Sequence, residues 1–398
     1  MEPTPGTSDF DFIVSLAKRI IPVKAISPFA GGKGESDRID EIEFILEELG
    51  YDSYTRYDVI DESQTKRSNL VLKIGHQEKT LWFIPHVDTV PAGDINLWTK
   101  DPFKATVEGN RIYGRGSSDN LQAVFLSLYM LKKFDPSRLK YNLAIAFVAD
   151  EEMGSKYGIQ YLISQNIFHK DDLVIVPDWG VPDGKQIEIA EKSILWLKFT
   201  VFGKQGHASK PSEAVNASKL GMKFMLELDA MLHDRFKDTN DLFSPNVSTF
   251  EITKHDLNVE NINTIPGKDT FYMDCRILPK YDLDIVLDEI DRLLRKFETE
   301  NKVKITIDPV QREQSPPPTS KDSEIVKLLS SAIAQVSGSE PSLIGIGGGT
   351  CAAFFRNLGI EAVVWSTAFN EIYHQADEYC VIDHIFNDFK VMEKILTG

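Results

Sequence analysis

The sequence predicts an α/β fold: a mostly parallel sheet with helices on both faces, interrupted by a smaller α+β unit. Three observations carry that reading. Apolar, non-alternating runs (Leu70–Ile74, Leu81–Pro85, Leu143–Ala149, Leu173–Pro177) are separated by helical segments, the pattern of parallel strands covered on both faces. Near Glu191 the character changes to a long strand and a long amphipathic helix, and it changes back after Pro316-Pro317-Pro318. Residues of metal-ligand type follow apolar runs on both sides of that unit, so the unit is expected to be inserted into a single domain.

In order along the chain, Asp11–Ile21 and Ile39–Leu49 carry helical periodicity, and Gly50 is a natural C-terminal stop. Ser27–Ser36, rich in Gly, Ser and Pro, reads as a loop. Leu70–Ile74 and Leu81–Pro85 read as strands, Leu121–Phe134 as a helix, Leu143–Ala149 as a strand, Tyr157–Ser164 as a helix and Leu173–Pro177 as a strand. Within the inserted unit, Ile194–Phe202, Thr270–Ile277 and Val303–Ile307 are strands, and Ala214–Phe236 and Leu283–Phe297 are helices. The triple proline cannot continue a helix or a central strand and marks the exit. Ser323–Gly398 returns to alternating strands and helices. The expected division is residues 1–190, an insert at 191–313, and residues 314–398.

The chain has 398 residues, and its 60 acidic against 44 basic residues give a net charge of -16, which argues against nucleic acid or an anionic membrane as partner. A small anionic substrate needs only one or two placed cations and stays open. No apolar run approaches the ~20 residues that span a bilayer. Met1–Phe10 lacks a basic region followed by an apolar core, so no signal peptide is expected. Cys275, Cys351 and Cys380 are odd in number and far apart, which fits neither a disulfide framework nor a cysteine zinc site. A cytoplasmic protein with reduced thiols is expected.

Five residues of metal-ligand type stand just past a strand or at the head of a helix: His86, Asp119, Glu152, Asp178 and His374. In open α/β sheets ligands bind at the carboxyl ends of the strands, so a binuclear metal site leads. Any one of them alone is commonplace. His86 gains weight from Asp88 two positions on, because metal-bound histidine usually donates its other N–H to a carboxylate. Asp119, after Gly114-Arg115-Gly116, is also placed to cap a helix N-terminus; a carboxylate has lone pairs enough to bridge two ions. Asp150-Glu151-Glu152 puts three acids in sequence at a sheet edge, which requires a compensating cation. In extended chain the two glutamates would point to opposite sides, one to metal and one to water. His76, His169, His233, His255 and His384 lie in polar loops or on helix surfaces and read as structural.

Taken in order, His86-Val87-Asp88, Gly114–Asn120, Glu151-Glu152, Gly206-His207, Gly347–Thr350 and His374–Glu378 resemble the M20 family of metallopeptidases and amidohydrolases. That family includes succinyl-diaminopimelate desuccinylase, acetylornithine deacetylase, glutamate carboxypeptidase and several dipeptidases, and the chain looks most like archaeal proteins of the desuccinylase/deacetylase branch. The resemblance implies a zinc-exopeptidase-like fold with an inserted lid that also forms a homodimer interface. It implies that His86 and Asp178 hold one ion and Glu152 and His374 the other, with Asp119 bridging, Asp88 orienting His86, and Glu151 as general base. The peptide after Asp119 is implied to be cis. His207 would stabilise the oxyanion in a partner's site, and Asn263 and Arg276 would bind substrate. Gly347-Gly348-Gly349-Thr350 lacks the lysine and spacing of a phosphate loop; the resemblance makes Gly349 and Thr350 part of the substrate pocket wall.

The implied activity is hydrolysis of the amide bond of an N-acyl amino acid by a binuclear-metal enzyme, with a metal-held water activated by Glu151. Zinc suits the His and carboxylate ligands, and cobalt or manganese can substitute. Two positions depart from the pattern. Cys351 and Ala352 stand where relatives often carry Asp and a small residue. Asp178 stands where deacylases and carboxypeptidases usually carry Glu and di- and aminopeptidases tend to carry Asp. A dipeptidase or aminopeptidase acting on short peptides is therefore the second reading.

Overall fold

The computed structural model describes residues 6–398; Met1–Pro5, the start of the segment in which no leader was expected, lie outside the described residues. The chain divides into two compact units. The larger runs to Ile189 and resumes at Thr319–Ile344 and Thr350–Gly398; the smaller comprises Ala190–Pro318 with Gly345–Gly349. The smaller unit thus ends at Pro318 rather than at residue 313, and it takes in most of the glycine turn that the sequence assigned to the last segment.

The larger unit is built on an eight-stranded sheet in the order Tyr54–Ile60, Lys66–Ile74, Asn142–Phe147, Thr80–Phe83, Leu173–Val176, Glu361–Val364, Gln186–Glu191, Ser342–Ile346. Its centre is parallel: Thr80–Phe83 pairs in parallel with both Asn142–Phe147 and Leu173–Val176, and Glu361–Val364 with Leu173–Val176. Antiparallel pairs flank that centre, the first from Tyr54↔Leu72 to Ile60↔Lys66. Thr80–Phe83, Asn142–Phe147 and Leu173–Val176 are buried at every position, as the apolar runs require.

Tyr54–Ile60 went unread because it is an edge strand of mostly polar or half-exposed residues. Lys66–Ile74 is longer than the expected Leu70–Ile74, because its first half is polar yet buried. There Arg67 is paired internally, and the Asn69 side chain donates to the Tyr157 carbonyl at 2.9 Å and accepts from Ala149 N–H at 2.9 Å. The Ser8–Ile20 helix begins at Thr7, whose hydroxyl accepts from Phe10 N–H, and Glu324–Ser337 begins at Ser323 in the same way. Gly338, at φ 75°, closes the latter helix in the left-handed conformation glycine favours. No helix among the described residues is long and apolar enough to cross a membrane.

The smaller unit has a four-stranded antiparallel sheet in the order Thr249–His255, Lys268–Ile277, Ser193–Phe202, Lys304–Glu313. Alternate residues Leu195, Leu197, Phe199 and Val201 turn toward the helices Ala217–Arg235 and Leu283–Asn301, whose N-termini are capped by Asn216 and Asp282. Phe224 stacks edge-on against Phe199 at 5.7 Å and Phe297 at 5.3 Å between ring centroids. Each such ring contributes about 1.5–3 kcal/mol by burial. The Thr249–His255 strand escaped the sequence reading because only Phe250 of it is buried.

Candidate metal centre

The parallel strands deliver the candidate ligands. His86 follows Thr80–Phe83 and bridges in parallel to Val148, and Val87 N–H donates to the Val148 carbonyl at 2.8 Å. Asp178 follows Leu173–Val176. Glu151 and Glu152 follow Asn142–Phe147, and His374 follows Glu361–Val364 after the short turn Asn370–Ile372. Asp119 comes from the loop before the Gln122–Lys133 helix.

Two groups of ligand atoms result, and Asp119 belongs to both. His86, Asp119 and Asp178 converge, as do Asp119, Glu152 and His374, with the atoms of each group within 4.8 Å of one another. His86 Nε2 lies 2.9 Å from Asp119 Oδ1 and 3.2 Å from Asp178 Oδ1. His374 Nε2 lies 3.2 Å from Asp119 Oδ2 and 3.1 Å from Glu152 Oε2. Each Asp119 oxygen therefore faces a different imidazole. All five residues expected as ligands are brought together.

Asp88 does more than the sequence suggested. His86 Nδ1 meets the Asp88 backbone carbonyl at 3.0 Å, closer than the carboxylate at 3.5 Å. The carboxylate instead accepts the N–H groups of Glu151 and Glu152, each at 3.0 Å. The extended chain expected for the two glutamates is not what forms: Asp150 is left-handed (φ 64°) and Glu151–Met153 form a single 3₁₀ turn. Asp88 takes up the amides such a turn leaves unpaired. The Glu151 carboxylate makes no hydrogen bond or ion pair among the described residues. The third acid, Asp150, finds its compensating cation in the core: Arg67 Nη2 reaches it at 2.9 Å and also binds Glu35.

Asp119 does not cap a helix. Residues 119 and 120 have non-helical dihedrals, the peptide between them is cis, and the regular helix begins at Gln122. Buried Glu378 takes the N–H groups of Gly116, Ser118 and Asp119 at 3.0, 2.9 and 3.0 Å. Asn120 donates to Asp178 Oδ1 at 2.9 Å and to the Pro177 carbonyl at 2.7 Å, which fixes Asp178.

The electrostatics fit divalent cations. Asp119, Glu151, Glu152 and Asp178 crowd two imidazoles, so with all four acids ionised even two protonated rings leave two negative charges uncompensated. Burial, reinforced by Asp178, raises the Glu151 carboxyl well above the usual range. Burial likewise pushes Glu152 up to about 7 against the hydrogen bond from His374. Asp119 is lowered to about 2, because hydrogen bonds from His374 and His86 outweigh the opposing effect of burial. His374 is pushed up to about 10 by its bonds to Asp119 and Glu152. His86 is raised well above its usual value: burial opposes its charge, but Asp178 and Asp119 prevail. Among the described residues Glu152 Oε1 is buried with no hydrogen-bond partner, which a cation would supply. Histidine with carboxylate is the donor set of hydrolytic zinc sites.

Comparison with known proteins decides the class. The family model of peptidase family M20/M25/M40 matches residues 82–398. The chain belongs to that family. This M20 chain is 39% identical to an uncharacterized metallohydrolase of Methanocaldococcus jannaschii, over 96% of its own length and 98% of the relative's. It is 28% identical to the succinyl-diaminopimelate desuccinylase of Orientia tsutsugamushi, over 94% and 92% of the two chains. Its fold matches the M20 family metallo-carboxypeptidase Sso-CP2 from Sulfolobus solfataricus with a TM-score of 0.75 and 21% identity, covering 98% of each chain. The M20 chain is thus a hydrolytic enzyme, with a mostly parallel central sheet of mixed α/β class.

The remaining expected site residues of this M20 enzyme are distributed over both units. In the smaller unit His207 is exposed; its Nδ1 accepts the Ser209 N–H at 3.1 Å, so the neutral ring carries its proton on Nε2. Asn263 is exposed beside it and its carbonyl takes the Ala208 N–H at 2.8 Å. Arg276 is already engaged: Nε and Nη2 meet the two Asp274 oxygens at 2.7 and 3.0 Å, and Nη1 meets the Gly347 carbonyl at 3.0 Å. Gly349 is exposed, whereas Thr350, in the larger unit, is buried and its hydroxyl accepts from Ala352 N–H at 3.2 Å. The three cysteines are buried free thiols. The sequence reading of this M20 chain gave no role to Glu378, Arg115, Asn120 or Arg67. Glu378 and Arg115 stood inside quoted motifs, and that was their only signal.

Proposed function

We propose that this enzyme hydrolyses the amide bond of an N-acyl amino acid at a two-ion centre. The observation that carries the proposal is Asp119, whose two oxygens face His86 and His374, each ring also meeting a second carboxylate. His86 and Asp178 would hold one divalent ion, Glu152 and His374 the other, with Asp119 between them. Two such ions, zinc by the donor set, supply Lewis-acid polarisation and acidify water when bound. Glu151, raised in pKa and held through its backbone by Asp88, takes a proton from the attacking water and returns it to the leaving amine. His207, with Nε2–H free to donate, is proposed to steady the oxyanion in the site of a second subunit, which makes the enzyme a homodimer through the smaller unit. Asn263 and Arg276 are proposed to hold a substrate carboxylate, with Asp274 then sharing or yielding Arg276.

Likeness to a desuccinylase supports the N-acyl reading. A peptidase acting on short peptides is the second reading. It is favoured by Asp178, the shorter acid at its position. Glu151→Gln tests the mechanism. Turnover should fall at least ~100-fold with metal content unchanged, in line with the usual worth of a general base. Near-normal turnover at full metal content would refute it. The readings separate on the rates of N-succinyl and N-acetyl amino acids against unblocked dipeptides.

A further inference from the structure

We propose that the buried pair Arg115 and Glu378 is the positioning device that fixes Asp119 and His374 relative to one another, and so sets the affinity of the Asp119–Glu152–His374 group for its ion. The proposal rests on the two-ion reading above and deepens it.

Glu378 is fully buried, and its carboxylate accepts four donors, as many as its lone pairs allow. Oε1 takes Ser118 N–H and Asp119 N–H; Oε2 takes Gly116 N–H and, at 2.6 Å, Arg115 Nη1. The same guanidinium donates through Nη2 to the His374 carbonyl at 3.1 Å. One continuous path therefore runs from the Asp119 amide through a carboxylate and a guanidinium to the His374 backbone. Gly114 N–H closes it from the other side by donating to the Glu378 carbonyl at 3.0 Å.

Two features suit a device for position. His374 sits at φ 62°, a conformation that a non-glycine residue keeps only where its surroundings over-determine it. Gly116 sits at φ 81°, and a Cβ there would come within 2.3 Å of Thr89 Cγ2, so the loop has one path. The pair also acts unequally on the two ligand groups. It reaches both Asp119 and His374 of one group, but only Asp119 of the other, whose remaining members are His86 and Asp178. A structural ion pair would instead affect both groups alike or only the stability.

The test is titration of the metal-stripped full-length protein with Co²⁺, followed by calorimetry and visible absorption. Wild type should take up two ions. Glu378→Gln, which cannot accept all four donors, should bind one ion much as wild type does and the other about 10–100-fold more weakly. Its titration should be a milder form of that of His374→Ala and unlike that of His86→Ala. Arg115→Lys, which keeps the charge but cannot reach both partners, should show the same asymmetry, and it carries the test if Glu378→Gln does not fold. Equal weakening of both ions, or unchanged affinities with a lowered Tm, would overturn the positioning role and leave the two-ion reading standing. Fewer than two ions on wild type would overturn both.

Discussion

The Asp88 carboxylate accepts the Glu151 backbone N–H at 3.0 Å, and its second oxygen accepts the next amide, that of Glu152. One side chain, two residues after His86, thus fixes both the proposed base and one proposed ligand. Asp88→Asn replaces one acceptor by a donor and sets it against an amide. We expect turnover to fall about 10–100-fold, as for other residues that orient metal ligands, and stability to fall by about 1–3 kcal/mol for the unpaired amide. Steady-state rates and urea unfolding read the two effects; an unchanged rate would remove Asp88 from the mechanism.

Ion binding should release protons. His374 is pushed up to about 10 and Glu152 up to about 7, whereas metal ligation requires neutral imidazole and ionised carboxylate. At pH 7 about one proton or more should leave as the ions bind, and apparent affinity should rise with pH. Calorimetry in buffers of different ionisation enthalpy counts them. Zinc uptake without proton release would contradict the paired state of these side chains.

Arg67 is buried between Glu35 and Asp150, with Asp61 at 3.5 Å. Arg67→Met leaves those carboxylates without their cation and should cost about 3–5 kcal/mol. Burial already pushes Asp150 up to about 6 with Arg67 present. Without it the acids are tolerated only when protonated, so the loss should be smaller at pH 5 than at pH 8. Denaturant unfolding at the two pH values checks both magnitude and direction.

Asp388, buried on the last helix and bonded to Thr367, is pushed up to about 7 by burial against an ordinary value of 3.8. Between these values the folded chain holds a proton that the unfolded chain has lost. The contribution of this group to stability therefore falls as pH rises from about 4 to about 7, by at most about 1.4 kcal/mol per pH unit, and is flat above. Asp388→Asn should remove that slope. The difference in unfolding free energy between wild type and variant, measured from pH 4 to pH 8, should move against wild type as pH rises; a constant difference would show that Asp388 titrates normally.

The parallel core was readable because strands covered on both faces leave uninterrupted apolar runs, and the residues just past those runs fall at the site by geometry alone. His86, Asp178 and the glutamate pair were legible for that reason, and Asp119 and His374 through the motifs around them. Tyr54–Ile60 and Thr249–His255 were not, since edge strands are exposed and lose the apolar signature. Arg67 was missed because a buried cation looks like any surface arginine until its partners, distant in sequence, are known. The same holds for the Glu378 carboxylate, whose partners are backbone amides and carry no side-chain signal. The turn of Glu151-Glu152 depends on the left-handed Asp150, which no local pattern announces.

The most direct measurement is zinc titration of the metal-stripped enzyme with simultaneous assay of amine release from N-succinyl and N-acetyl amino acids and a dipeptide panel. The account predicts no turnover without metal, full turnover at two ions per chain, and amide hydrolysis that His86→Ala and His374→Ala each abolish. Undiminished turnover after complete chelation, or full activity in either variant, would contradict it.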